Sequence, residues 1–164
     1  MRTIWLTGLP CSGKTTIALE LKRKYFKDYV LLDGDTIRNF IHNNDMSMEG
    51  RKLHLSYISY MCRLLNDQNC GVICSFVSPT NDIRETIDGI VGNEKIMNVW
   101  VKCSKQECIK RDVKGMWKKA IDGQIKNFTG WDGEWDDPNN SDIVIETDKN
   151  DLETCCEKIW EYLR

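Results

Sequence analysis

A glycine-rich octapeptide near the start of the chain constrains the fold more than any other feature of the sequence. Residues 8–15 read Gly-Leu-Pro-Cys-Ser-Gly-Lys-Thr and match the phosphate-binding pattern G-x-x-x-x-G-K-[ST] in full. Residues 2–7 before it are typical of a buried strand, and residues 16–21 after it are typical of a helix. A loop in this position cradles phosphates with its backbone N–H groups. The sequence therefore predicts a nucleoside triphosphate site in an α/β fold.

This pattern assigns chemistry to individual residues and predicts a nucleoside triphosphate with Mg²⁺ at the loop. Lys14 is expected to act in catalysis by reaching the β- and γ-phosphates, and the Thr15 hydroxyl is expected to ligate Mg²⁺. The other loop residues expected to contact the nucleotide are Gly8, Cys11, Ser12, Gly13 and Thr16.

Strand and helix patterns alternate along the rest of the chain. Strands are predicted at residues 29–32, 71–76, 96–101 and 143–145, and helices at 51–66, 82–91 and 152–163. The helix at 51–66 carries apolar side chains at helical spacing: Leu53, Tyr57, Tyr60, Met61 and Leu64. Near-continuous apolar strands that alternate with helices indicate a parallel sheet covered on both faces.

We therefore expect one P-loop NTPase domain over residues 1–164, nucleotide-kinase-like, with five parallel strands, helices on both faces and a lid. The lid is predicted at about residues 106–140, which are too many and too polar for a plain crossover. A closing lid suits a transferase, because water must be kept from the γ-phosphoryl group.

Composition excludes several classes of protein. A net charge of −2 and a pI near 5.7 argue against a nucleic-acid binder. No apolar run reaches membrane-spanning length, and a strand that begins at residue 2 leaves no room for a signal peptide. The eight cysteines contain no C-x-x-C spacing, which predicts buried thiols in a reducing cytoplasm, with a cysteine metal site as the alternative.

A second piece of chemistry follows the second strand, where the chain reads Asp33-Gly34-Asp35. Residues i and i+2 of an extended segment point the same way, so both carboxylates are expected to face the ligand cleft. One would lie near Mg²⁺ while the other accepts a proton from an attacking hydroxyl. An ordinary turn that closes a strand is the alternative. Arg38, one helical turn later, is a candidate anion clamp or a solvated helix residue.

The predicted lid concentrates basic side chains between Lys110 and Lys126, where they could stabilise the charge of a transferred phosphoryl group. A solvated helix face is the alternative. Farther on, Phe128, Trp131 and Trp135 could form a base-stacking platform, although aromatic residues in a loop also pack onto their own core.

Taken together, the motifs resemble the adenylylsulfate kinase family over nearly the whole chain. They follow one another in that family's order at residues 8–16, 32–38, 76–79, 111–120 and 124–132. The resemblance implies a P-loop kinase fold and transfer of the γ-phosphate of ATP to the ribose 3′-hydroxyl of adenylyl sulfate. It also implies a homodimer.

The same resemblance assigns roles to further residues. Asp35 would be the catalytic base and Asp33 its partner near Mg²⁺, while Arg38 and Arg51 would hold the phosphate and sulfate of the substrate. The remaining residues that it assigns are Arg111 and Lys114 in the nucleotide lid, Phe128 against the substrate base, and Ser78 and Pro79 along the pocket backbone.

Departures from the family pattern cluster on one side of the site. By the resemblance, this is the side that would bind the acceptor substrate. Residues 39–42 read Asn-Phe-Ile-His where the family favours His-Gly-Leu-Asn, and residues 53–57 read Leu-His-Leu-Ser-Tyr where Glu-Asn-Ile-Arg-Arg is usual. Met46 replaces an aromatic residue, and residues 80–81 read Thr-Asn where Tyr-Arg is common. Met46 and His54 are therefore candidate specificity residues.

Three hypotheses follow. The first is an adenylylsulfate kinase of sulfate activation. The second is a paralogue that phosphorylates the ribose 3′-hydroxyl of another nucleotide, such as cytidine diphosphoramidate in capsule modification. The third is a nucleotide-binding regulatory protein without catalysis, against which the intact residues count: Lys14, Thr15, Asp33, Asp35 and Lys114.

Overall fold

The structure, a computed structural model, describes residues 2–43 and 45–164. Its strands are β1 (Thr3–Thr7), β2 (Val30–Asp33), β3 (Val72–Ser75), β4 (Ile96–Lys102) and β5 (Ile143–Glu146). Its α-helices are α1 (Lys14–Lys24), α2 (Gly34–Phe40), α3 (Met48–Asp67), α4 (Asn81–Val91), α5 (Lys105–Arg111), α6 (Met116–Ile121) and α7 (Leu152–Tyr162). A short 3₁₀ turn, Asn93–Lys95, precedes β4.

The five strands form one parallel sheet in the order β2-β3-β1-β4-β5. Thr3 of β1 lies opposite Val72 on one side and Ile96 on the other. Because all strands run the same way, their carboxyl ends meet at one edge, where ligands of open α/β sheets bind. The predicted fold class and all five predicted strands are confirmed.

Helices cover both faces of the sheet, as expected. On one face α1 and α7 pack Ile17, Leu21 and Ile159 against the apolar strands. On the other face α3 and α4 contribute a second cluster that includes Leu55 and Ile87. Each fully buried aliphatic side chain of this kind contributes about 1.5–3 kcal/mol to stability.

Helix α3 buries a different face from the one that its apolar spacing suggests. Leu55, Ile58 and Cys62 point into the core, whereas the predicted apolar series lies on the outside. Its exposed members are Leu53, Tyr57, Tyr60, Met61 and Leu64.

The segment predicted as a lid carries α5 and α6 and has a small core of its own. Cys108, Trp117 and Phe128 belong to this cluster, and Leu9 and Cys11 of the phosphate loop pack against it. The segment is therefore docked beside the loop that it was expected to cover.

All eight cysteines are free thiols. The buried ones are Cys62, Cys74, Cys103, Cys108, Cys155 and Cys156. Among residues 2–43 and 45–164, no group of three or more His, Cys, Asp or Glu side chains is arranged to hold a metal ion. No helix in the same ranges is both long and apolar enough to cross a bilayer.

Candidate active site

The phosphate loop is closed around its own lysine. Helix α1 begins at Lys14, directly after Gly13, whose φ of 101° is in the left-handed region that favours glycine. Lys14 Nζ donates hydrogen bonds to the carbonyl oxygens of Gly8 at 2.9 Å and Leu9 at 2.8 Å. The loop therefore has a fixed, curled shape with the ammonium group at its centre.

Lys14 is unusually buried for a cation. Only 8% of its surface is exposed, and this burial lowers its pKa to about 8. The nearby thiols of Cys108 and Cys11 and the carboxylates of Asp35 and Asp33 partly oppose the shift. A bound phosphate would act in the same direction as these groups, because a neighbouring anion favours the charged ammonium form.

A cleft of about 660 Å³ lies at the carboxyl edge of the sheet and joins the loop to α2, α3 and the lid segment. The predicted site residues that line it are Cys11, Gly13, Lys14, Thr15, Thr16, Asp33, Asp35, Arg38, Met46, Arg51, His54, Arg111, Lys114 and Phe128. Fourteen residues predicted from separate motifs are thus brought to one cavity.

Thr15 and Asp33 form an oxygen-rich corner beside the loop. The Thr15 hydroxyl donates to Asp33 Oδ2 at 2.9 Å and lies 3.2 Å from the Ser75 hydroxyl. The other carboxylate oxygen of Asp33 accepts from the backbone N–H of Thr36 at 3.1 Å. Mg²⁺ prefers one or two carboxylates plus phosphate oxygens, so this donor set fits that ion next to a bound triphosphate.

Asp33 and Asp35 do not share an extended segment, and that part of the expectation is wrong. Helix α2 begins at Gly34, so Asp33 is the helix cap and Asp35 lies in the first turn. The cap forms because Asp33 can satisfy the free N–H of Thr36, as short acidic side chains do at helix starts. Both carboxylates nevertheless line the cleft.

Asp35 is paired with a lysine from the lid segment. Its carboxylate accepts a hydrogen bond from Lys114, which lies between α5 and α6. Both side chains are more than half exposed, and exposed ion pairs contribute little to stability. The contact therefore joins the two sides of the cleft and can open without a large cost.

Two arginines form the far wall of the cleft. Arg51, 6% exposed, donates to the carbonyl oxygens of Met46 at 2.9 Å and Asn127 at 3.3 Å. Arg38 donates to the carbonyl oxygen of Asp45 at 3.1 Å. Burial lowers the pKa of both guanidinium groups, and the Arg38 charge lowers that of Arg51 further. Two neighbouring cations held by backbone oxygens make a wall suited to anions.

His54 lies on the inward face of α3 in the same wall. It is 2% exposed, and its Nε2 has no hydrogen-bond partner among the described residues. Burial, together with the charge of Arg38, lowers its pKa to about 4. Its ring lies 6.2 Å from that of Phe76. A buried imidazole without a partner costs about 1–3 kcal/mol, which a ligand in the cleft could offset.

Phe128 and Met46 contribute the apolar part of the lining. Phe128 is largely buried, and its ring meets Trp117 edge-on with centroids 5.0 Å apart. Trp117 is fully buried, and its Nε1 donates to the carbonyl oxygen of Pro10 at 3.1 Å. Met46 is 43% exposed. Phe128 is therefore a fixed wall, whereas Met46 is free to adjust.

Ser78 and Pro79 do not line the cleft, contrary to expectation. The Ser78 hydroxyl accepts from Trp5 Nε1 at 3.0 Å, and the Pro79 carbonyl accepts from the N–H of Asp136 at 2.9 Å. These bonds fix the turn behind the cavity wall. Residues 75–77, at the end of β3, line the cleft instead of this turn.

Gly8 and Ser12 also lie outside the lining and support the loop from behind. The Ser12 carbonyl accepts from Thr147 Oγ1 at 2.7 Å, and Arg111 donates to the Thr147 carbonyl at 2.8 Å. Thr147 follows β5 and was not predicted as a site residue. The signal that could have found it is its position after a parallel strand, at the same edge as the loop.

Comparison with known proteins places this geometry in a family. The family model for adenylylsulphate kinase matches residues 1–146. The chain belongs to the adenylylsulphate kinase family. It is 40% identical over 162 residues to an adenylyl-sulfate kinase of Bacteroides thetaiotaomicron, covering 96% of this chain and 81% of that protein. It is 41% identical over 156 residues to a probable adenylyl-sulfate kinase of Aeropyrum pernix, covering 92% and 85%.

A solved family member has the same fold. The APS kinase CysC of Mycobacterium tuberculosis, determined in complex with AMPPNP and APS, superimposes with a TM-score of 0.92. The two are 28% identical, and the alignment covers 99% of this chain and 96% of that one.

Departures from the adenylylsulphate kinase pattern are less concentrated on the cleft than the sequence suggested. Met46 and His54 line it. By contrast, Phe40 is 84% exposed, and Leu53 and Tyr57 lie on the outer face of α3. The physical reason is that adjacent residues of a helix point in different directions, so a run of changes cannot all face one pocket.

Proposed function

We propose that the chain transfers the γ-phosphoryl group of ATP to the ribose 3′-hydroxyl of adenylyl sulfate. One observation carries the proposal: a single cleft contains the phosphate-loop lysine, the Asp35 carboxylate, the buried Arg51 and its partly buried neighbour Arg38. An acceptor with a phosphate and a sulfate would have its charges matched by the arginine wall while its hydroxyl lies toward ATP. Membership of the family supports the same acceptor.

The transfer needs little covalent chemistry from the protein. The 3′-oxygen attacks the γ-phosphorus, the bond from that phosphorus to the β–γ bridging oxygen breaks, and ADP leaves. Asp35 would accept the proton of the hydroxyl. Lys14 and Lys114 would lie against the transferred group and ADP, where negative charge develops.

Mg²⁺ would be held by Thr15 and Asp33 together with the phosphates. When bound, it neutralises charge on the β- and γ-phosphate oxygens. Arg111, which is tied to Thr147, would keep the base of the nucleotide site closed.

The decisive experiment measures ADP release from Mg·ATP with adenylyl sulfate and, separately, with cytidine diphosphoramidate, and compares kcat/KM. We expect a preference for adenylyl sulfate, with a product phosphorylated at the 3′-position by phosphorus NMR. Preference for the cytidine compound would overturn the acceptor assignment and leave the kinase chemistry standing. Release with neither acceptor would contradict both. Lys14→Ala supplies the inactive control.

Two coarser proposals accompany this one. We propose a homodimer, as the family resemblance implies. We also propose a reducing compartment, the cytoplasm, because all eight cysteines are free thiols in a chain that has no need of disulfides for its core.

A further inference from the structure

A second cavity lies beside the phosphate loop, and three tryptophans line it: Trp100, Trp131 and Trp135. Its volume is about 440 Å³, within the usual range for small-molecule sites. None of the described residues that line this cavity also lines the cleft. Trp131 and Trp135 are two of the three aromatic residues that the sequence offers as a base-stacking platform, whereas Phe128, the third, lies in the cleft. The two tryptophans therefore belong to this second space, here called the tryptophan cavity.

Two lysines place positive charge against the tryptophan rings. Trp100 and Lys102 are two residues apart on β4 and therefore point to the same face of the sheet, with Lys102 Nζ 4.9 Å from the centroid of the Trp100 ring. Lys105, at the start of α5, has its Nζ 4.6 Å from the centroid of the Trp131 ring. In residues 2–43 and 45–164, neither of these ammonium groups forms an ion pair with a carboxylate. Both charges are thus available to an anion in the cavity.

The loop that carries Trp131 and Trp135 has a fixed shape. The Asp132 carboxylate accepts hydrogen bonds from the backbone N–H groups of residues 127 and 128 at 3.0 and 2.8 Å. The Arg84 guanidinium packs on the Trp135 ring, with its Cζ 5.4 Å from the ring centroid. Trp131 remains 44% exposed with Lys105 beside it, so ring surface is left for a ligand. Because the aromatic surface is held in place, a ligand loses little affinity to ordering of the loop.

The lining matches the three parts of a nucleoside monophosphate. Indole rings stack on the flat face of a nucleobase whatever its identity. Asp137 Oδ1 accepts a hydrogen bond from Trp135 Nε1 at 3.1 Å, and the other carboxylate oxygen, which has no partner among the described residues, can accept from ribose hydroxyls. A phosphate monoester carries a charge of about −1.5 to −2 at pH 7, which the ammonium groups of Lys102 and Lys105 would balance.

Other ligand classes fit this lining less well. A neutral sugar would leave both ammonium groups without an anion. A nucleic-acid strand is bound along an extended basic groove, whereas this chain has a net charge of −2 and the cavity holds two lysines. The phosphates of Mg·ATP are already shielded by the metal ion, so they gain less from two lysines than a single bare phosphate does.

We propose that the tryptophan cavity is a second ligand site of this chain, which binds a nucleoside monophosphate with its base on the tryptophans and its phosphate against Lys102 and Lys105. Leu9 of the phosphate loop and Gly130 of the lid segment both line the cavity, so the ligand would contact the two elements away from the cleft. The site is independent of the proposed phosphoryl transfer.

The indole N–H signals in ¹H–¹⁵N NMR spectra report on this cavity separately from the cleft. The chain has six tryptophans, and variants that each replace one of them by phenylalanine assign the signals. AMP should shift the signals of Trp100, Trp131 and Trp135 in parallel, with one dissociation constant below about 1 mM. Trp5 and Trp160 are the internal controls, because neither lines the cavity or the cleft and their signals should stay in place.

Substitutions in the lining test each part of the site. Lys105→Ala and Trp131→Ala should each raise the dissociation constant for AMP at least 10-fold. Lys110→Ala is the matched control, since Lys110 lies on the same helix as Lys105, is 81% exposed and does not line the cavity. Lys14→Ala should also leave the constant within two-fold, because that ammonium group belongs to the cleft. Circular dichroism and thermal melts check that each variant is folded.

Adenosine and ribose 5-phosphate separate the two halves of the recognition. Each should bind at least 10-fold more weakly than AMP, because adenosine lacks the phosphate and ribose 5-phosphate lacks the base.

The proposal is overturned if AMP up to about 10 mM shifts none of the three signals, or if ribose 5-phosphate binds as tightly as AMP. It is also overturned if Lys105→Ala and Trp131→Ala leave the affinity unchanged. A response confined to Trp117, whose ring meets Phe128 of the cleft wall, would place AMP in the cleft and overturn it as well. None of these readouts depends on turnover, so failure of the proposed reaction would leave the result of this test interpretable.

Discussion

At the scale of single residues, the site gathers side chains whose ordinary chemistry burial has altered. Lys14 and His54 are the two with the largest effects, and both are shifted toward their neutral forms by desolvation. Each pKa shift has a measurable effect on ligand binding or on stability. The reason is that the group takes up or releases a proton when a ligand binds or when the chain unfolds.

Lys14 should take up a proton when ATP binds. With a pKa of about 8, roughly half of the free protein carries a neutral lysine at pH 8, whereas the triphosphate favours the charged form. ATP affinity should therefore fall as the pH rises from 7 to 9. Calorimetry at pH 8 in two buffers with different ionisation enthalpies should show proton uptake. Uptake should vanish at pH 6.5, and equal heats in both buffers at pH 8 would contradict the assignment.

Asp35→Asn should remove the base and keep the nucleotide site. Turnover should fall about 10²–10⁴-fold, because general-base assistance is worth that much, while the affinity for Mg·ATP stays within a few-fold of the wild type. Asp28→Asn, an exposed carboxylate remote from the cleft lining, is the control. Full turnover in Asp35→Asn would show that another group takes the proton.

His54→Leu should separate stability from acceptor binding. The substitution removes a buried polar atom without a partner, so the free energy of unfolding should stay the same or rise. The acceptor KM should rise about 5- to 100-fold, with the KM for ATP unchanged, since a bond of about 1–3 kcal/mol is lost.

The pH dependence of stability provides a second readout for His54. Its pKa of about 4 in the folded chain lies below the ordinary value of 6.5, so the unfolded chain binds the extra proton between these values. The wild type should therefore lose stability as the pH falls from 6.5 to 4, and His54→Leu should lose less. His42→Leu, which changes the other, exposed histidine, is the control. Identical profiles for all three proteins would refute the buried-histidine account.

At the scale of elements, the fully buried Trp117 is a central contact between the lid segment and the phosphate loop. Trp117→Ala should lower the free energy of unfolding by about 3–5 kcal/mol, as expected for a fully buried aromatic residue. Trp117→Phe should cost less, because it removes chiefly the bond to Pro10. Trp131→Ala is the control, since that ring is 44% exposed. Urea unfolding followed by circular dichroism measures all three, and equal losses for Trp117→Ala and Trp131→Ala would contradict the prediction.

Elements also show how far the sequence predicts the structure. The five strands are predictable because each is a short, nearly continuous apolar run. A strand that is buried on both faces has this pattern in place of an alternation of apolar and polar residues. Helices α2, α5 and α6 are missed because they have six or seven residues, too few for a periodic signal. The helical spacing of apolar residues in α3 correctly predicts a helix. It does not show whether that apolar face packs on the core or faces outward. The turn at Ser78 and Pro79 was expected to line the cleft, but its place behind the cavity wall depends on long-range bonds such as that from Trp5, which no local pattern encodes.

At the scale of the whole molecule, ligand binding should stabilise the fold across the cleft. A saturating concentration near 100 times Kd contributes about 2.7 kcal/mol. For a chain of 164 residues this corresponds to a rise in Tm of about 5–10 °C with Mg·ATP. Replacing Mg²⁺ with EDTA should reduce the rise, and Lys14→Ala should abolish it. A shift that survives in Lys14→Ala would place the nucleotide elsewhere.

The loop that curls around Lys14 has a consequence for how fast a nucleotide is captured. The Lys14 ammonium group is already hydrogen-bonded to the carbonyl oxygens of Gly8 and Leu9. The backbone of the loop therefore has its curled form before any phosphate binds. Little ordering entropy is then lost at the moment of encounter, and no slow rearrangement of the loop has to precede it. Association should accordingly proceed in a single fast phase that is linear in nucleotide concentration, so that differences in affinity between nucleotides arise from how quickly each one leaves.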